Sequence, residues 1–192
     1  MLLAGSAAAG ASAGERPAAF DHRLPAEHTV EVRTMPRVDN ARLLAEDLRN
    51  RAPRRDAPVR FATPHRVSIT PVDAGDWDEI DADTLVWRLR VESKGALSLN
   101  FGFDEYRMPE GGHMLIYPAG LPEDAEPGAI RTFTAADNKP HGALWTPVVP
   151  GDHAVIEVVV PKDRVDQLRL RIGSVNPDYV GFGRLGRAGS LE

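Results

Sequence analysis

The chain has 192 residues, 42% hydrophobic and 27% charged, which suits one globular domain with its own core and excludes a chain disordered throughout. A formal charge of −5 offers no global positive field to a phosphate backbone, and no apolar run reaches the ~18 residues that a helix needs to cross a bilayer, so neither nucleic acid nor a membrane span is expected. With no cysteine, disulfides, thiolate metal sites and a cysteine nucleophile are excluded, while the compartment is left open.

The first 27 residues read as a leader. They begin with Ala, Gly and Ser, carry no charge before Glu15, and include Ala11-Ser12-Ala13, the small-x-small pattern that a signal peptidase cuts after Ala13. A basic n-region and a full apolar h-region are missing, so the stretch is a signal-peptide remnant or a plain Ala/Gly terminus. A short extended piece over 28–33 stops before Pro36. Over 39–50 the residues Ala41, Leu44, Ala45 and Leu48 recur at helical spacing, with Asp39 placed to cap the first turn and Arg49 and Arg51 suited to the C-terminal end of the dipole. This is the one helix expected, and Pro53 ends it.

Strand signals follow at 59–62 and 67–71, then an acidic loop over 73–83. Its Asp76, Asp78, Asp81 and Asp83 are weak calcium candidates, but their spacing matches no EF-hand and a solvated turn is the favoured reading. Residues 84–91 alternate, placing Leu85, Trp87, Leu89 and Val91 on a core face with Arg88 and Arg90 opposite. Further strands are expected at 96–103, 113–118, 129–134, 142–146, 153–160 and 167–175, separated by Gly- and Pro-rich turns. About seven one-faced strands predict a mainly β fold: an antiparallel β-sandwich of jelly-roll type over 28–183, with one short N-terminal helix. Residues 184–192 read as a flexible linker or cloning tail.

A search for chemistry finds little. No Gly-Asp-Ser-Gly-Gly or Ala-Ala-His-Cys segment supplies a trypsin-like serine or histidine context, and the nucleophile elbow Gly-x-Ser-x-Gly is absent as well. His22, His28, His65, His113, His141 and His153 show no metal-ligand spacing. No catalytic residue, no metal ligand and no cofactor are expected. Of the aromatics, Trp87 falls on a core face, Trp145 and Tyr117 resemble it, and Trp77 in the acidic loop is the best candidate for exposure. Between Arg33 and Arg66 nine arginines face four acids. They form a solvated basic face or, through Arg49, Arg51, Arg54 and Arg55 with Trp77 nearby, a contact surface for an acidic partner.

Taken in order, Arg60-Phe61-Ala62, Trp87-Arg88-Leu89-Arg90, GALSLNFGF at 95–103, MPEGGHMLIY at 108–117, LWTP at 144–147, VPGD at 149–152 and LRIGSV at 170–175 resemble the N-terminal region of bacterial lysyl endopeptidases, which are secreted trypsin-like serine proteases. The resemblance covers roughly residues 38–183. It implies a non-catalytic pro-region of a secreted precursor, extracellular or periplasmic, whose partner is the cognate serine protease domain in cis and which is itself monomeric. The protease would begin near Gly189-Ser190. Cleavage after Arg184 or Arg187 would release it, although a strictly Lys-specific enzyme would cut after neither. The alternative is an accessory β-sandwich that binds carbohydrate, protein or calcium and stays attached to a secreted hydrolase.

Overall fold

A computed structural model describes residues 16–51, 62–125 and 130–181. The chain enters through a one-turn helix, α1 (Ala18–Asp21), a 3-10 turn (Glu27–Thr29) and a short strand, β1 (Val32–Thr34), before the longer helix α2 (Asn40–Arg51). Nine strands follow: β2 (His65–Ile69), β3 (Asp76–Glu79), β4 (Thr84–Glu92), β5 (Ser98–Arg107), β6 (His113–Pro118), β7 (Thr132–Thr134), β8 (Leu144–Trp145), β9 (Val149–Pro150) and β10 (His153–Pro161), and β11 (Arg169–Asp178) closes the series after a 3-10 turn (Lys162–Gln167).

These strands build two sheets, as expected for a mainly β sandwich. The large sheet runs β1-β4-β10-β6-β7 with β3 on the same edge of β4 as β1, and the small sheet runs β2-β11-β5-β8 with β9 also on β5. All pairings are antiparallel except β1 with β4. The chain changes sheet between β4 and β5, between β5 and β6, and between β10 and β11. Each crossing turns an apolar face back to the middle. There Trp87, Leu89 and Val91 of β4, Ile156, Val158 and Val160 of β10 and Met114 of β6 meet Leu99, Phe101 and Phe103 of β5 and Ile172 and Val175 of β11. Side chains of this size contribute about 1.5–3 kcal/mol each on full burial, so this layer dominates stability.

Trp87 fixes one turn by donating its indole N–H to the Ala74 carbonyl at 2.8 Å. The next residue, Gly75, has φ +80°, and a Cβ there would stand 2.4 Å from Trp87 Nε1, so the turn needs glycine on both counts.

Several expectations are corrected. Residues 16–27, assigned above to a disordered leader, form α1 and an ordered strap across the outer face of the large sheet. Helix α2 lies where expected, and Asp39 caps it by accepting from Arg42 N at 3.0 Å. Its buried apolar residue, however, is Leu43, while Leu44 and Leu48 of the expected core stripe are 43% and 71% exposed. The acidic loop contains β3, because Asp76 to Glu79 pair with Arg88 to Leu85 of β4. Arg88 is 1% exposed rather than solvent-facing. Trp145, grouped with the core aromatics, is 63% exposed, since in a two-residue strand Leu144 takes the inward position opposite Phe103. The strand signal at 59–62 lies outside the described residues apart from Ala62, which bridges to Asp178.

Candidate functional site

Both ring nitrogens of His153 face carboxylates: Nδ1 is 2.7 Å from Asp152 Oδ1 and Nε2 is 3.4 Å from Glu92 Oε1. Burial works to raise the Asp152 pKa, but hydrogen bonds from His153 and the Gly95 amide outweigh it and hold that carboxyl below its usual range. A serine relay needs one imidazole nitrogen on the nucleophile, and neither nitrogen of His153 is so placed. His141 spends Nδ1 accepting from Ala143 N. The acids of the 73–83 stretch are likewise committed to the fold. Asp76 accepts from Glu31 N at 2.6 Å, Asp78 pairs with Arg88 at 3.0 Å, and Asp81 accepts from Asp83 N at 2.9 Å. Among the described residues no three His, Asp or Glu side chains converge as metal ligands.

The two outer faces of the sandwich differ. On the large sheet, Glu157 of β10 stands opposite Arg88 of β4 in register, both beneath the strap. Glu157 Oε1 accepts from Ala18 N at 2.6 Å and Oε2 from the Tyr117 hydroxyl at 3.2 Å. Arg88 donates to the Pro25 carbonyl at 2.9 Å and to Asp78 at 3.0 Å. Burial pushes the Glu157 carboxyl above its ordinary range, against these hydrogen bonds and the nearby Arg88 cation. Burial and the Glu157 charge together push the Tyr117 phenol well above its usual value. Around this network Ala18 packs on Val86 and Val159, while Leu115, Tyr117 and Val155 are covered by Ile130, Ala119 and Leu121. This face is closed by the chain's own segments.

The outer face of the small sheet carries no comparable cover among the described residues. Asn100, Ser174 and Asn176 line it, and the exposed Trp145 ring lies flat on Gly102, where an added Cβ would approach to 3.1 Å. At the end of the sandwich sits α2. Leu43 inserts into the core cluster, Asn40 donates to the Gly95 carbonyl at 2.9 Å, and the Tyr179 hydroxyl bonds Asp47. Asp178 fixes the chain just beyond β11: Oδ2 accepts from Ser98 at 3.0 Å and Oδ1 from Val180 N and Gly181 N at 2.7 and 3.1 Å. The point where the chain leaves the fold is therefore rigid and adjoins the helix.

Of the residues singled out in the sequence, Arg49 is exposed on α2 with Nε 3.3 Å from the Ala45 carbonyl. Trp77 is 37% exposed and donates to the Pro71 carbonyl at 3.0 Å. It borders a 490 Å³ hollow with Val72 and Leu168 and does not meet Arg49 in any contact described. The Arg51 side chain, Arg54, Arg55, Ala13, Arg184 and Arg187 lie outside the described residues. Sequence reasoning missed the Glu157, Arg88 and Tyr117 network, although a lone Glu inside the apolar run 154–160 is a signal that could have marked it.

A family model described as the lysyl endopeptidase N-terminal domain matches residues 34–176, from the end of β1 almost to the end of β11. No solved structure matches the chain. With well over half of its length covered by that model, and both sheets inside the match, the chain belongs to the lysyl endopeptidase N-terminal domain family.

Proposed function

We propose that this domain is the non-catalytic pro-region of a secreted trypsin-like serine endopeptidase, carried in cis before the catalytic domain, which it helps to fold and holds inactive until the connection is cut. The observation that carries this reading is the coincidence of the family match with the complete sandwich, from β1 through β11. A domain that binds the native protease stabilises it by mass action, and a short tether raises its effective concentration. Ala13 fits removal of a leader on export, and Arg184 and Arg187 fit release by a trypsin-like enzyme that accepts arginine. A strictly Lys-specific parent would then be matured by another protease.

The test is refolding of the denatured catalytic domain with and without this chain added in trans. At least tenfold more recovered peptidase activity, and inhibition of the native enzyme by the added chain, are expected. Equal recovery together with no inhibition would sink the proposal. One observation favours a second reading, an accessory binding module: Trp145 flat on Gly102 beside Asn100 and Asn176 is an aromatic and amide platform on which a sugar ring could stack. A melting temperature raised by a soluble polysaccharide, with no effect of the chain on the protease, would select it.

A further inference from the structure

We infer that the exposed apolar stripe of α2 is the surface on which the catalytic domain docks, through an apolar groove with an acidic rim; this rests on the pro-region reading above. Ala41, Leu44, Ala45 and Leu48 share one side of the helix at three- and four-residue spacing, and all four are exposed. The opposite side already holds the helix to the sandwich through Leu43, Asp47 and Asn40. An exported domain gains nothing in stability from leucines at 43% and 71% exposure on a well-seated helix. A helix-in-groove contact is the recognition mode that such a stripe suits.

Two observations select the occupant. The first is position. Asp178 pins the exit of the chain at Val180 and Gly181, and Tyr179 bonds Asp47 on α2, so whatever is tethered after Gly181 starts out beside this helix. The second is charge. Arg42 and Arg49 are exposed alongside the stripe, and the sequence continues with Arg51, Arg54 and Arg55, so a groove rimmed by carboxylates would be steered to it and an uncharged or basic one would not.

The experiment measures binding of the full chain to the cognate catalytic domain carrying Ser→Ala at its nucleophile, so that nothing is cut. Leu44→Glu/Leu48→Glu keeps helix-compatible residues at two exposed sites; its melting temperature should stay within a few degrees of wild type, while Kd rises at least tenfold. Trp145→Ala, on the other open face, should leave Kd unchanged, and raised salt should weaken the wild-type complex. If wild type binds tightly and the double variant binds equally well, the stripe is not the docking site and the pro-region reading stands. If wild type does not bind at all, both fail. A double variant that loses only self-association, with protease affinity intact, would put a second copy on the stripe and overturn the inference.

Discussion

Glu157 sits under the strap with no exposed surface, and its charge is supported by one amide, one phenol and the neighbouring Arg88. Because burial raises its folded pKa above that of an unfolded glutamate, the protonated form is the better fit to the fold. The stability it contributes is therefore complete below the ordinary carboxyl range and is lost as pH rises through the raised folded value. Glu157→Gln holds the group neutral, so the difference in unfolding free energy between variant and wild type should grow in favour of the variant across that window, by up to about 1.4 kcal/mol per pH unit. Urea unfolding at several pH values reads this directly, and parallel curves for the two proteins would refute it. Arg88→Met removes the cation and leaves the Pro25 carbonyl and Asp78 without their donor. Its expected cost near neutral pH is about 3–5 kcal/mol, the range for breaking a buried pair, and it should shrink in acid as Glu157 takes up a proton.

At the scale of elements, the strap and α2 show opposite attachment. The strap seals polar and apolar surface together, through Ala18 against Val86 and Val159, Glu27 on the Gly120 amide at 3.0 Å and His28 beneath Arg90. Deleting residues 1–26 exposes Glu157 and loses a charge-assisted bond of about 1.5–3 kcal/mol with its apolar cover. A melting temperature lower by about 6–12 °C is expected for a chain of this size, and a drop under 2 °C would show that the strap is ornamental to stability. Helix α2 instead hangs on few side chains. Leu43→Ala should cost about 2–3 kcal/mol in urea unfolding, whereas Leu48→Ala should stay within about 0.5 kcal/mol. Those two elements also mark where the sequence was legible. Alternation in β4, β5 and β10 announces a sandwich because strand period and burial coincide there. Helical spacing locates the leucines of α2 but does not say which side meets the body, and the side chosen is set by Val38, Gly95 and Tyr179, distant in sequence or on another element. Arg88 looked solvent-facing for the same reason: its cover comes from Pro25, 63 residues away.

For the whole molecule, these arrangements divide the surface by task. The strap and the 119–130 segment close the outer face of the large sheet, so a partner has the small-sheet face and the α2 end to choose from, and the chain exits at the latter. A protease tethered there by a short glycine-containing stretch would experience the pro-region at an effective concentration on the order of millimolar, far above any useful Kd. Inhibition in the intact precursor should then be independent of dilution. Cutting at Arg184 or Arg187 breaks the tether without touching the sandwich, and the complex becomes an ordinary bimolecular one that dissociates below its Kd. Precursor with Arg184→Gln and Arg187→Gln, which a trypsin-like enzyme cannot cut there, should stay inactive when diluted to roughly nanomolar concentration, while nicked wild type diluted alike should gain peptidase activity. Activity appearing in the uncut precursor on dilution would mean that the domain does not hold the protease in cis. Activity at full strength in the nicked sample before dilution would mean that cleavage, rather than dissociation, relieves the block, and that the contact with the sandwich adds nothing to it.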